Sequence, residues 1–461
     1  MLNNNKGVIR TVGEGTLWMS GGNILMKLIG IFYVLIILSH LSVAEFGLVE
    51  LALSIPGLLG IMNLSGLQPV LIADLVAMHT KGEVEKMRFL VSSYISLQTI
   101  LSIMAAGSLF VATIFLKDLF YQDTILMVQI LTLTFLVHPV RSLIIIGCNI
   151  THNYRRLALF SLMSEIVKII LVVTLLFVFD MGALGVVMAY VLTEIFVTCI
   201  NIPIIFAFRR ELFKSRLLSC GLFEPFSVLK NHAKWSVLQN GVYTFGRDIR
   251  PWIIQFFLGT QAVGIFGAAM GMYMHASSLF PLSRVIAPII PAYVEQKNKL
   301  INFINHAIKY QLLVLMSAVF LIIVFMPFLL FNIFPDYKDA YPLFILLSLN
   351  LIASSFSRVF ETAFHALKLQ RDLFASIVVN TTLTICILPI TIILFGIKGV
   401  AVEVFITGLI YTISRYKVLK NVLPDYSFVL NSLYTKSSID TLILAKIKDN
   451  LIRGFKKVRN S

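Results

Sequence analysis

Charge is the first thing this chain lacks. Only 13% of its 461 residues are Asp, Glu, Lys or Arg, against about a quarter in a soluble globular domain, and this excludes a water-soluble fold of such length. Cysteine is scarce as well. Cys148, Cys199, Cys220 and Cys386 stand alone, without a CxxC or a Cys/His cluster, so neither a disulfide framework nor a metal site is expected, and all four read as packing residues. There is no P-loop, no triad pattern and no Asp-x-Asp in a loop, and the breaks between apolar runs leave no room for a soluble domain. A protein that is not an enzyme and needs no cofactor is the expectation. The first apolar run lacks a small-residue cleavage site and is too long for a signal peptide, so it reads as an uncleaved first span.

What the chain has in abundance is apolar surface, 58% of its residues. About 20 apolar residues cross a hydrocarbon core, and such runs fall near residues 14–38, 46–72, 88–116, 124–149, 157–179, 182–208, 234–258, 262–290, 303–331, 341–366, 373–395 and 398–420. Basic residues gather in alternate breaks: Lys81, Lys86, Arg88, Arg155, Arg156, Arg209, Arg210, Lys297, Lys299, Lys368 and Arg371, against only Lys117, Lys338 and Lys398 on the other side. The positive-inside rule then puts both termini in the cytoplasm. The net charge of +15 belongs mostly to that face, which suits anionic lipid and gives no support to nucleic-acid binding. In the tail, Leu444, Ile447, Leu451, Phe455 and Val458 recur at helical spacing among lysines and arginines, as an interfacial helix would, or as a solvated basic extension. The linker from Arg209 to Lys230 is a weaker version of the same pattern.

The chain also repeats itself. At a spacing of 217 residues Trp18 falls on Trp235, Asn23 on Asn240, Leu41 on Leu258, Gly47 on Gly264, Ala52 on Ala269 and Arg141 on Arg358. At a spacing of 214, Leu159 falls on Leu373, Gly182 on Gly396, Gly185 on Gly399 and Thr193 on Thr407. A unit of six spans begins each time on the same side, so the copies are parallel. The expected fold is an all-α membrane protein of about twelve transmembrane helices in two parallel six-helix repeats around a central cleft. Its parts are a first bundle (1–208), a cytoplasmic amphipathic linker (209–233), a second bundle (234–420) and a basic tail (421–461). Folds of this kind bind cargo between the repeats and rock one against the other.

The opening stretch MKLIGIFYVLIILSHLSVAEFGLVELALSIPGLLGIMNLSG carries Lys-Leu-Ile-Gly at 27–30 and, after a polar break, Glu45-Phe46-Gly47; a GALGV turn follows at 182–186. In these features the chain resembles bacterial polysaccharide exporters of the O-antigen flippase type, within the multidrug, oligosaccharidyl-lipid and polysaccharide exporter superfamily. The resemblance implies a multi-pass protein of the bacterial inner membrane. It would carry an O-antigen or capsule-type oligosaccharide on a polyprenyl diphosphate to the outer leaflet, in lipopolysaccharide or other polysaccharide biosynthesis, beside polymerase and chain-length proteins. Similar lipid II flippases commonly have additional spans and an Arg-rich first helix, neither of which is present here.

Charges inside spans are costly and face a cavity or a partner. The bases are Lys27, Arg141, Lys168, Arg247, Arg250, Arg284 and Arg358, and the acids Glu50, Glu165, Glu194, Asp248, Glu361 and Glu403. Asn23 and Lys27 share one face of helix 1, Asn240 and Arg247 one face of its repeat, helix 7; these four, with Arg250, are the expected diphosphate site, a point charge opposite a planar fork. Glu165 with Lys168, and Arg358 with Glu361, have helical-neighbour spacing and read either as self-neutralised pairs or as cleft charge, the first also as a proton or ion relay. Arg141, Glu194 and Glu403 are further candidates for cleft charge or coupling. Coupling is open at this level: one net negative charge moving outward gains about 2.3 kcal/mol per 100 mV, and cation exchange through a buried acid serves equally. Two rivals remain, a cation-coupled multidrug antiporter, expected to carry an acid within helix 1 or 7 in a cavity built for organic cations, and a membrane glycosyltransferase or polymerase, expected to need a larger loop.

Overall fold

A computed structural model describes residues 25–27, 29–115, 122–212, 234–278 and 290–427. Backbone amides have no water to bond in hydrocarbon, so an apolar run satisfies them internally as helix, and no strand occurs among the described residues. The helices are α1 (Leu25–His40), α2 (Val43–Leu58), α3 (Gln68–Thr80), α4 (Val84–Phe115), α5 (Gln122–Ile150), α6 (Tyr154–Val173), α7 (Gly182–Leu212), α8 (Lys234–Asp248), α9 (Arg250–Leu258), α10 (Thr260–Ser278), α11 (Lys297–Asn332), α12 (Ala340–Ser348), α13 (Asn350–Ala366), α14 (Gln370–Phe395) and α15 (Lys398–Val422). Six described stretches are long and apolar enough to cross a membrane, seven when α12 and α13, bent by 46°, count as one. The other expected spans are broken, shorter or charged. Span 2 is α2 and α3 with irregular turns between them, where Pro56 and Gly57 end the first helix and Leu64 takes a φ of 51°. Span 7 breaks at Ile249, because Pro251 in the first turn of α9 has no N–H to continue the ladder. Helix α7 runs to Leu212, past the expected bundle edge at 208. The basic tail's periodic stretch, most of the linker, Asn23, Cys220 and Arg284 lie outside the described residues.

The sequence repeat is a repeat of packing. In the first lobe α5 and α6 pack on α7; in the second α13 and α14 pack on α15 in the same way. The lobes meet chiefly where α2 lies along α10, which are repeat equivalents, and where α2 crosses α8 and α9. The seam works because its two matched glycines are bare. A Cβ on Gly47 would strike the Thr260 carbonyl, and a Cβ on Gly264 the Val43 carbonyl, backbone that cannot swing aside.

One end of this seam is fastened. Helix α2 opens with a capping box, the Ser42 hydroxyl accepting from the Glu45 amide (3.3 Å) and the Glu45 carboxylate from the Ser42 amide (2.9 Å). That leaves the Leu41 carbonyl without an intrahelical donor, and the Tyr337 hydroxyl, from the turn between α11 and α12, donates to it at 2.9 Å. The ring stands edge-on to Phe46, centroids 6.0 Å apart, and Tyr337 is 1% exposed. Burial, then the carboxylates of Glu45 and Asp336, push its phenol well above the ordinary value, so it stays protonated and keeps donating. Tyr337→Phe orphans the Leu41 carbonyl and is expected to cost about 1–3 kcal/mol in a chemical unfolding titration; a change below a few tenths would show that the bond holds nothing.

Candidate functional site

A cavity of about 280 Å³ opens within the second lobe. Three helices line it with stripes at helical spacing: Met270, Tyr273, Met274 and Ser277 of α10; Asn350, Ser354, Ser357, Arg358 and Glu361 of α13; Val404, Thr407, Gly408, Tyr411, Thr412 and Arg415 of α15. Tyr243 and Arg247 of α8, Arg250 of α9 and Asn380 of α14 complete the wall. The lining is unlike that of an apolar membrane core, since it joins four arginines to tyrosine, serine, threonine and asparagine.

Three of the arginines bring their own counter-charge. Arg247 grips its neighbour Asp248 through Nε and Nη2 at 2.5 and 2.6 Å. Gly57, at the broken end of α2, makes room for that carboxylate, which a Cβ there would strike. Arg250 holds both oxygens of the fully buried Glu403 at 3.1 and 3.2 Å and also donates to Thr384 at 3.1 Å. Arg415, wholly buried, donates to Glu361 (3.1 Å), to the Ser357 carbonyl (2.8 Å) and to the Tyr411 hydroxyl. The fourth, Arg358, donates to the Ser277 carbonyl at 2.6 Å and makes no ion pair among the described residues.

The structure thus gathers Arg247, Arg250 and Arg358 of the expected residues around one cavity, with Glu403 behind them. The neighbour pair Arg358 with Glu361 does not form, because Arg415 reaches Glu361 from α15. Asp248, with an arginine on either side, takes Arg247. Asn240 is turned away from the cavity and donates to Ser65 at 2.7 Å in the irregular turn of span 2, where a Cβ on Gly66 would collide with the Ser236 carbonyl. Lys27 is half-buried on α1, and it is not among the lining residues. The remaining candidates sit in the first lobe. Arg141 pairs with Glu194 and lies 5.3 Å from the Phe160 ring centre; Lys168 pairs with Glu165 at 2.7 Å and lies 4.7 Å from the ring centre of Tyr33. Among the described residues no three His, Cys, Asp or Glu side chains cluster to hold a metal.

Sequence reading missed Arg415, Tyr411, Asn350 and Gly408. Arg415 lies near the end of the run expected at 398–420, and Tyr411 one turn before it places both on the stripe that Val404 begins.

Comparisons with known proteins fit this architecture. The fold matches an inward-facing multidrug resistance MATE family transporter of the MOP superfamily (TM-score 0.67, 15% identity, 88% of this chain and 99% of that one). It also matches the lipid II flippase MurJ in an inward closed conformation (TM-score 0.71, 15% identity, 91% and 89%), and a MOP superfamily transporter from Pyrococcus furiosus described as having a binding pocket of reverse polarity (TM-score 0.56, 13% identity, 92% and 96%). No curated protein matches in sequence. The family model for a polysaccharide biosynthesis protein covers residues 38–336, well over half of the chain, and the chain belongs to that family.

Proposed function

We propose that this protein is a flippase for a polyprenyl-diphosphate-linked oligosaccharide, of O-antigen or capsule type, which it moves from the inner to the outer leaflet of the bacterial plasma membrane by alternating access. The observation that carries this reading is the cavity. Four arginines meet three carboxylates there, Asp248, Glu361 and Glu403, leaving one positive charge among hydroxyl, amide and phenol groups suited to sugar. The end of the bundle that holds Tyr337 and few bases is then the outer face, and the fastened seam of α2 and α10 its closed gate. In alternating access this gate opens as the inner end closes, and the cavity faces each side of the membrane in turn.

The main rival is a cation-coupled multidrug antiporter. Such a protein presents free carboxylate to an organic cation, whereas each acid that touches this cavity already holds an arginine. Proteoliposomes separate the two. Wild-type protein is expected to move a fluorescent polyprenyl-diphosphate oligosaccharide between leaflets and not to exchange ethidium for protons or Na⁺; the opposite pattern assigns it to the antiporters. In cells, deleting the gene is expected to leave the lipid-linked glycan on the inner leaflet.

A further inference from the structure

We propose that Arg358, held beside Asn350 and Gly408, forms an anion seat at the place where the first repeat pairs its arginine with a carboxylate. This deepens the flippase reading by naming where the charged group of the cargo sits, and it rests on that reading only for the identity of the lipid.

The two lobes can be compared position by position. Thr193 and Thr407 are each 2% exposed, and each donates to the carbonyl four residues back, Ala189 at 2.7 Å and Glu403 at 2.9 Å. The two threonines are alike in burial and back-bonding in the 214-residue register of α7 and α15, and in that register Glu194 corresponds to Gly408. Arg141 corresponds to Arg358 on the helices that pack against them, α5 and α13. In the first lobe the arginine and the acid are joined as an ion pair. In the second, the acid's place is taken by a residue without a side chain, while a different carboxylate, Glu403 at the counterpart of Ala189, serves Arg250.

What fills that place is neutral and incomplete. The Asn350 side chain fills it, with its Oδ1 where a Cβ of Gly408 would be. Its amide donates to the Tyr273 hydroxyl at 3.1 Å, but its Oδ1 is buried and has no donor among the described residues. Arg358 is half-buried, and its one hydrogen bond among the described residues leaves most of its five N–H donors to the cavity. Tyr273 and Ser277, four apart on α10, hold the two residues side by side on one wall. A planar guanidinium with spare donors binds phosphate or carboxylate oxygens in a fork. The seat fits an anionic oxygen group, either the diphosphate or the carboxylate of an acidic sugar.

Binding of three probes to the full-length protein in nanodiscs tests this: inorganic diphosphate, geranylgeranyl diphosphate and uncharged geranylgeraniol. Arg358→Gln is expected to weaken both diphosphates about ten-fold or more, as removal of a charge-assisted bond does, and to leave the alcohol unchanged. Arg358→Lys should recover part of the loss. Gly408→Asp, which places an acid there, should weaken diphosphate as Arg358→Gln does, while exposed Lys398→Gln stays within about two-fold. Diphosphate binding unaltered in both Arg358→Gln and Gly408→Asp overturns the seat, and so does a wild type that holds no diphosphate. If wild type binds inorganic diphosphate through Arg358 but gives no preference to the lipid form, or if glucuronate competes and the lipid form does not, the seat stands and the lipid-diphosphate assignment falls.

Discussion

Gly264→Val is expected to destabilise the folded protein by about 1–3 kcal/mol in an SDS unfolding titration and to stop flipping in proteoliposomes. The reason is local. α2 and α10 approach each other backbone to backbone, and the atoms a new side chain would meet at 264 are the carbonyl oxygen and carbon of Val43. Neither is the tip of a flexible side chain, so the only relief is to part the helices, which opens the seam and pulls Leu41 from Tyr337. Gly47→Val should do the same from the other side, against Thr260. Because both substitutions wedge one contact, the double variant should cost clearly less than the sum of the singles. Gly271 supplies the control on the same helix: a Cβ there meets nothing within 4 Å, so Gly271→Ala should be neutral or gain up to ~1 kcal/mol from helix propensity. Equal stability and transport in Gly264→Val and Gly271→Ala would remove the seam from the mechanism.

That seam was legible in the sequence before any coordinate, though not as a contact. Trp, Asn and Gly recurring at one spacing announced a duplication, and parallel duplication puts equivalent helices about a common axis; of the matched glycines, Gly47 and Gly264 are the pair that meet. The breaks in spans 2 and 7 were less visible, since a hydropathy window sums over 20 residues and passes through a turn that contains Gly60 and Gly66, as it passes through Pro251. Those breaks decide the site. They let α8 settle into the irregular turn of span 2, which rotates Asn240 toward Ser65 and leaves Arg247 on the cavity side. Spacing within one helix also misjudged the pairs. It was right for Glu165 with Lys168, which have no nearer rival among the described residues, and it failed for Arg358 with Glu361 because Arg415 approaches from another helix. A one-dimensional rule sees neighbours along a helix and is blind to the helix beside it.

The largest electrostatic effect should come from separating Arg250 and Glu403. Glu403 is fully buried, and its side-chain donors are Arg250 twice and Thr407 at 3.1 Å. Arg250→Ala leaves that carboxylate in the bundle with one hydroxyl, and Glu403→Ala leaves the guanidinium with Thr384; each is expected to cost about 3–5 kcal/mol, the usual penalty for an uncompensated buried charge. Joint replacement, Arg250→Met with Glu403→Leu, removes both charges and keeps the volume, and buried pairs replaced in this way are commonly neutral or gain about 1–4 kcal/mol. The double variant should therefore fold at least as well as wild type while each single fails. Transport then separates scaffold from function: Thr407 still has the carbonyl of residue 403 to bond, so the α15 stripe stays in place, and any loss of flipping reports Arg250 itself as a cavity group. Singles as stable as wild type would mean that water reaches the pair, and a double no better than the singles would mean that packing, rather than charge, holds α9 to α15.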